Sequence, residues 1–225
     1  MIKSFKSLTK TELIIWSASV AVVLVSNIIA GTEPITLSAT LVGVTSLIFI
    51  AKGNVVGQFL TVVFSVLYAI TSYRMRYYGE MITYLGMTLP SAVFAAISWI
   101  RHPYKKGEVK ISKMTPLKAV VMVLFTSAAT ALFYFIMKAL DTPNLAVSTL
   151  SITTSFLASY LTFIRNSYYA VAYAVNDIVL IILWILAAIG DISYLPMIFC
   201  FAMFLINDIY GFISWKKREI TQGIK

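Results

Sequence analysis

Eight apolar runs of 17 residues or more dominate this chain: Leu13 to Ile29, Ile35 to Ala51, Val55 to Tyr73, Met81 to Ile100, Leu117 to Leu140, Leu145 to Ile164, Tyr168 to Ile189 and Tyr194 to Trp215. At 1.5 Å per residue each run, with its flanking residues, reaches across a hydrocarbon core about 30 Å thick. Sixty per cent of the 225 residues are apolar and 12% are charged, about half the charged fraction of an average soluble domain. Such a chain belongs in lipid, where a segment must pair its own peptide groups. The expected fold class is therefore all-α: a polytopic membrane protein with eight transmembrane helices. The first run follows a lysine-bearing start, as the apolar core of a secretory signal does. It is longer than such a core, however, and Ile28 with Ala30 does not form the small-x-small cleavage pattern, so it reads as a span.

The formal charge is +9, with 18 Lys and Arg against 9 Asp and Glu. The cations fall between the apolar runs instead of along one amphipathic face, which argues against a nucleic-acid partner and makes them topology signals. With eight spans, one set of connections holds Lys3, Lys6, Lys10, Lys52, Arg101, Lys105, Lys106, Lys110, Lys113, Lys118, Arg165, Lys216, Lys217, Arg218 and Lys225. The opposite set holds only Arg74, Arg76 and Lys138. This excess places the first set, and with it both termini, on the cytoplasmic face of an inner or plasma membrane. Leaving out any one span scrambles the division.

Parts of the chain recur. Tyr78, Met81, Ile82 and the Ile97-Ser98-Trp99 ending before Arg101 return at an offset of 116 as Tyr194, Met197, Ile198 and Ile213-Ser214-Trp215 before Lys216. Earlier in each half a cation and an asparagine close a span, Lys52 with Asn54 and Arg165 with Asn166. A three-helix unit ends on the opposite side from its start, so a second copy in the same orientation needs one extra crossing between them. The organisation expected is a leading helix within residues 1–34, a first three-helix bundle at 35–100, a basic loop and linker helix at 101–144, a second bundle at 145–215 and a basic tail at 216–225. This 3+1+3 plan of parallel repeats is the logic of some transporters.

Few groups carry chemistry. Cys200 stands alone in an apolar run and His102 alone at the edge of another, which leaves no disulfide framework, triad or zinc cluster. No phosphate-binding Gly-x-x-x-x-Gly-Lys occurs, so direct drive by ATP is not expected, and neither a metal nor a cofactor is implied. Two carboxylates lie well inside spans, Asp177 and Asp208, each within Asn-Asp-Ile. A charge at mid-bilayer costs a few kcal/mol, so such residues face a cavity or a partner. Asn176 and Asn207 each stand 8 residues from the same boundary, at Tyr168 and Trp215, about 12 Å deep. At 100° per residue Tyr169, Tyr173, Asn176, Leu180 and Trp184 form one stripe, and Asn207, Tyr210 and Gly211 share a face. Aromatic walls around two amides suit a flat heterocycle with a polar substituent, and the carboxylates suit a cationic ring. The same residues also serve as interhelical glue and interface belt in the simpler reading. An intramembrane hydrolase built on Asp177 and Asp208 is a further possibility, but its Gly-x-Gly-Asp pattern is absent; Ala188-Ile189-Gly190-Asp191 is the nearest match. A non-catalytic scaffold would need no site at all. Pro90 is expected to kink the fourth span, and Arg74 and Arg76 near Glu80 to form an exposed ion-pair cluster on the outer side.

The stretch from Asn54 to Trp99, with Leu67-Tyr68-Ala69, Tyr77-Tyr78-Gly79-Glu80 and Pro90, resembles the first half of PnuC-type vitamin transporters. Phe204 to Gly211, followed by Trp215, resembles that family's closing helix, including its Asn-x-x-Tyr motif at Asn207 and Tyr210. The resemblance covers roughly residues 35 to 218 and implies a SWEET-like fold, a homotrimer in the lipid bilayer, and a transporter, not an enzyme. It further implies uptake of nicotinamide riboside by facilitated diffusion, with cytosolic phosphorylation trapping the cargo. On this reading Asn176, Asn207 and Tyr210 bind polar atoms of the small-molecule substrate, while Tyr169, Tyr173 and Trp184 stack on its ring. The nicotinamide riboside members carry Trp-x-x-Trp ahead of the span-seven asparagine; here the stretch is Tyr169-Ala170-Val171-Ala172. Relatives carry thiamine, riboflavin or nucleosides, which are the alternative cargoes.

Overall fold

The computed structural model describes residues 5–224; Lys3 and Lys225 of the basic set, and the side chain of Lys106, lie outside what it describes. Among the described residues eight helices are long and apolar enough to cross a membrane, and there is no strand. They are α1 (Lys10–Ala30), α2 (Pro34–Ala51), α3 (Val56–Arg74), α4 (Tyr78–Arg101), α5 (Pro116–Ala139), α6 (Leu145–Phe163), α7 (Tyr169–Ala188) and α8 (Leu195–Thr221). Local chemistry explains their starts. Thr9 and Glu12 form a reciprocal capping box on α1, and Pro34, Pro116 and Pro196 sit in first turns, where a missing N–H costs nothing. α8 runs past Trp215 to Thr221, so most of the stretch expected as a basic tail is helical. Good helix formers and a Lys216–Glu219 pair at 2.7 Å carry it on.

The irregular element is α4. Tyr84–Thr88 form a wide π turn in which the Leu89 N–H reaches back five residues to the Tyr84 carbonyl. Pro90 follows at once. A proline inside a helix clashes with the carbonyl four residues back and cannot bond to it. The widened turn absorbs that defect, so the kink expected at Pro90 takes the form of an extra residue in the preceding turn.

Helices α2, α3 and α4 pack as one group and α6, α7 and α8 as another; α2 contacts α8, and α4 contacts α6. α1 lies against α2 and α8, while α5 lies along α6 and touches the start of α4. Two indole hydrogen bonds cross between the groups. Trp99 Nε1 donates to the Thr162 carbonyl and Trp215 Nε1 to the Ile50 carbonyl, both at 3.0 Å, with the two rings 5.5 Å apart. Each occupies a carbonyl in the last turn of a helix. The two Ile-Ser-Trp endings related by the 116-residue offset therefore touch. The turns that receive them are also alike: Gly53 (φ 71°) and Arg165 (φ 60°) are left-handed, and each is followed by an asparagine. Asn54 Oδ1 and Asn166 Oδ1 accept the N–H two residues on, at 2.9 and 3.1 Å.

These contacts gather the ends of α2, α4, α6 and α8 on one side, called here the basic side after its cations. The connection from His102 to Thr115 is laced across it. The Val109 N–H donates to the Gly53 carbonyl and the Ser112 N–H to the Arg165 carbonyl, both at 2.9 Å. The Ile111 N–H donates to Gln222 Oε1 at 2.8 Å, and Arg218 pairs with Glu108 at 3.1 Å. Close to α1, the buried Glu12 carboxylate meets Lys52 Nζ at 3.3 Å, and Lys52 also donates to the Ser7 carbonyl.

Small residues allow helix pairs to approach closely. A Cβ on Gly57 would sit 2.7 Å from the Ile50 nitrogen and 2.8 Å from the Ser46 oxygen. Gly57→Ala should push α3 off α2 and cost about 1–3 kcal/mol. Gly190→Ala, whose nearest neighbour would be 3.6 Å away, should leave stability unchanged; thermal unfolding in detergent compares them.

Candidate functional site

α7 and α8 pack side by side and bring Asp177 and Asp208 together at mid-span. Both carboxyls are buried and lie within hydrogen-bonding reach of each other. They face a cavity of about 50 Å³. Tyr173 and Asn176 supply the α7 wall, and Phe201 and Phe204 the α8 wall. The π turn of α4 aims Tyr84 and Thr88 into it, α3 adds Thr61 and Phe64, and α6 adds Ser155 and Ser159. The Asn176 amide oxygen accepts from Thr154 Oγ1 at 2.8 Å and Ser155 Oγ at 3.0 Å, which leaves its NH₂ group free of those bonds. Tyr173 and Ser159 pair their hydroxyls at 3.3 Å. Among the described residues no Lys, Arg or His lines the cavity, and Asp177 Oδ2 has no hydrogen-bond partner.

Aromatic layers seal both ends. Away from the basic side, Tyr68 packs on Tyr84 with centroids 4.1 Å apart and accepts the Trp184 indole N–H at 3.0 Å. Trp184 in turn packs on Tyr77 at 4.9 Å and Tyr194 at 5.7 Å, and the Tyr194 hydroxyl donates to the Met75 carbonyl. Burial, and then the neighbouring Tyr194, pushes the Tyr77 phenol above its usual range, so it stays neutral in this plug. Toward the basic side, Tyr169 packs on Trp215 at 4.7 Å, and Trp215 on Trp99. The cavity is closed in both directions.

Of the residues singled out in the sequence, the fold brings Tyr173, Asn176, Asp177 and Asp208 together. Tyr169 and Trp184 belong to the layers below and above. Asn207 and Tyr210 face elsewhere, because adjacent helical residues diverge by 100° and Asp208 takes the cavity side of α8. The Asn207 amide donates to Ser19 Oγ on α1 at 3.1 Å and to the Met203 carbonyl at 2.7 Å. Tyr210 reaches Thr9 and Glu12 beside a separate groove of about 320 Å³ on the basic side. The convergence of both asparagines on one cavity is thus not seen: they share a depth, but not a face. The outer cluster also differs from expectation. Arg74 pairs with Glu33, whereas Glu80 is buried and accepts from Ser151 Oγ at 3.3 Å. His102 is exposed and Cys200 buried. Tyr84, Thr88 and Tyr68 are not among the expected site residues; Pro90, six positions after Tyr84 and two after Thr88, is the sequence sign of the turn that places the first two.

A family profile described as nicotinamide mononucleotide transporter matches residues 33–217. The chain is similar to a nicotinamide riboside transporter PnuC of Neisseria mucosa, 25% identical over 186 residues that make up 80% of this chain and 70% of that protein. It is also 23% identical to a nicotinamide riboside transporter PnuC of Haemophilus influenzae, over 78% of this chain and 76% of that one. A crystal structure of the vitamin B3 transporter PnuC has the same fold, with a TM-score of 0.82 at 22% identity, covering 94% of this chain and 92% of that one.

The closed cavity has a reporter. Cys200, the chain's single cysteine, is fully buried beside Asp177 and packed among the aromatic residues away from the basic side. N-ethylmaleimide should leave it unlabelled in liposomes under conditions that label the unfolded chain completely; prompt labelling of the folded protein, read by mass, contradicts the closure.

Proposed function

The chain belongs to the nicotinamide mononucleotide transporter family, the PnuC-type transporters, and is a multi-pass membrane transporter, not an enzyme; from that premise we propose that its cargo is nicotinamide riboside or a similar cationic, ring-bearing vitamin. The observation that carries this reading is the Asp177–Asp208 pair in an aromatic cavity. A pyridinium ring is attracted both by carboxyl oxygens and by the faces of Tyr84 and Tyr173. Asn176, whose amide NH₂ is not taken up by Thr154 or Ser155, suits a carboxamide. A phosphate ester would meet two carboxyls and no cation, which favours a nucleoside over a nucleotide.

A cavity of about 50 Å³ falls far short of the roughly 300–1,000 Å³ of a ligand pocket. Transport by this reading is alternating access: the α2–α4 and α6–α8 groups part on one side and then the other around the central carboxyls. Tyr169 and Trp184 meet the ring as their layers open, while Asn207 and Tyr210 act by seating α8 on α1. The basic side faces the cytoplasm by the positive-inside rule, with both termini there. Flux is facilitated diffusion down the cargo's gradient, and the protein assembles as a homotrimer, as its resemblance to the PnuC-type family implies. Proteoliposomes should take up labelled nicotinamide riboside faster than empty vesicles. Asn176→Ala should lower uptake at subsaturating cargo about tenfold, the upper end of what one neutral hydrogen bond contributes. Equal flux with and without protein sinks this cargo.

Tyr169-Ala170-Val171-Ala172 in place of Trp-x-x-Trp keeps thiamine as a second reading, since its thiazolium is also a cation. Both carboxyl-compatible cargoes should raise the unfolding temperature with concentration, while riboflavin and neutral nucleosides should not.

A further inference from the structure

α5 packs along α6 and meets α4 near the start of α4; toward the basic side α4 and α5 part. The wedge between them is a groove of about 750 Å³ with almost wholly apolar walls, open to the lipid. Pro90 and Phe94 of α4 form one wall, α5 from Val121 to Phe133 the other, and Tyr160 and Phe163 of α6 the floor. Twelve residue steps of α5 span about 18 Å, and one leaflet of a hydrocarbon core about 30 Å thick is about 15 Å deep. The groove is therefore as long as one layer of acyl chains. Tyr160, one turn from the end of α6, sits in it at the depth where a phenol meets the lipid interface.

The charge at the basic end of the groove is one-sided. Arg101 lies two turns beyond Phe94 on α4 and Lys118 one turn before Val121 on α5, so each continues the stripe of its helix that lines the groove. Lys118 Nζ donates to Ser112 Oγ at 2.6 Å and to the Lys113 carbonyl at 3.0 Å, which ties it to the segment that carries Lys113. Three carboxylates stand on the basic side among the described residues, and each pairs elsewhere: Glu12 with Lys52, Glu108 with Arg218 and Glu219 with Lys216. Arg101, Lys113 and Lys118 form no ion pair among the described residues. α5 and α6 contain no Asp or Glu, nor does α4 beyond Glu80.

We propose that this groove binds one anionic phospholipid from the leaflet on the basic side, its acyl chain between α4 and α5 and its headgroup phosphate on Arg101, Lys113 and Lys118. The apolar walls suit the chain, and the cations at the mouth suit the phosphate. A zwitterionic lipid brings its own cation to the same cluster and gains less. A second copy of this chain, itself at +9, would meet that cluster with further cations and with carboxylates already paired. The bound chain fills the wedge beside the π turn and supports α4 where α5 does not. The site is independent of what the central cavity carries.

Native mass spectrometry of the full chain tests this, with phosphatidylglycerol and phosphatidylcholine of matched chains added in equal amounts. The expected spectrum retains one phosphatidylglycerol per chain and little phosphatidylcholine. Arg101→Gln combined with Lys118→Gln should weaken phosphatidylglycerol binding about thirtyfold, the contribution of two cations near an anionic headgroup. Lys138→Gln, at the opposite end of α5, should leave it unchanged. The unaltered protein carries the second test: in vesicles, phosphatidylglycerol with a diazirine in its chain should cross-link around Phe94 and Val121 in preference to α1, whose Ile14 and Ile28 are also exposed. Equal retention of the two lipids, or of neither, overturns the site. Binding that the double substitution does not weaken, or cross-links spread evenly over α1 and α5, overturns it as well. An oligomer that retains no lipid and is cross-linked between copies through Phe94 and Val121 gives the groove to a second copy instead.

Discussion

In hydrocarbon an unpaired peptide or hydroxyl group costs several kcal/mol, and most of this structure follows from avoiding that cost. The spans are helices because a helix pairs its own backbone. Many of their Ser and Thr residues are tolerated because the hydroxyl turns back to a carbonyl one turn earlier, as Thr40 does to Thr36, Thr45 to Leu41 and Thr162 to Ala158. Pro90 is admitted because a π turn takes up its missing bond. Trp99 and Trp215 reach across to carbonyls in the last turns of α6 and α2. Against that background the exceptions stand out: among the described residues Gln58 Nε2, Ser72 Oγ, Glu80 Oε2, Thr126 Oγ1, Thr142 Oγ1, Tyr169 Oη, Asp177 Oδ2 and Asn207 Oδ1 are buried and without partners. Three of these eight, on Asp177, Tyr169 and Glu80, belong to the cavity, its floor and the region behind Tyr84.

The carboxyl pair and its seals come from different parts of the fold. Asp177 and Asp208 belong to one three-helix group, so their spacing survives a rocking motion of that group against the other. The plug away from the basic side joins Tyr68, Tyr77 and Tyr84 to Trp184 and Tyr194, and the one toward the basic side joins Trp99 to Trp215. Both therefore cross the junction between the groups. On the alternating-access cycle proposed above, parting one layer while the other holds would expose the carboxyls to one side of the membrane at a time.

The sequence was read most easily where the physics is periodic or one-dimensional. Eight spans follow from run length and hydropathy, and the division of cations between alternate connections depends on the span count alone. Four of the eight candidate site residues meet because α7 and α8 are each amphipathic about their Asn-Asp steps. What stayed hidden was rotational. Asn207 and Asp208 are neighbours in sequence, and only packing against α1 decides which of them turns to the cavity. The partner of Lys52 is Glu12, 40 residues earlier, and Glu80 turns inward to Ser151 instead of toward the arginines beside it. The π turn that delivers Tyr84 exists because of Pro90, yet its width and the direction in which it points the ring are settled by contacts with α3 and α6.

The laced connection on the basic side limits how far the molecule can gape. Val109 is tied to Gly53 in one group and Ser112 to Arg165 in the other. Three residue steps separate those ties, a leash of about 10 Å at full extension. While both bonds hold, the α2–α3 and α6–α7 corners cannot draw farther apart than that leash and the two bonds allow. If cargo passes on this side, as the transport proposed above requires, an opening of that width would admit a flat ring edge-on and stop a folded peptide or a bulky conjugate, so a short stretch of loop far from the carboxyls would set the size limit.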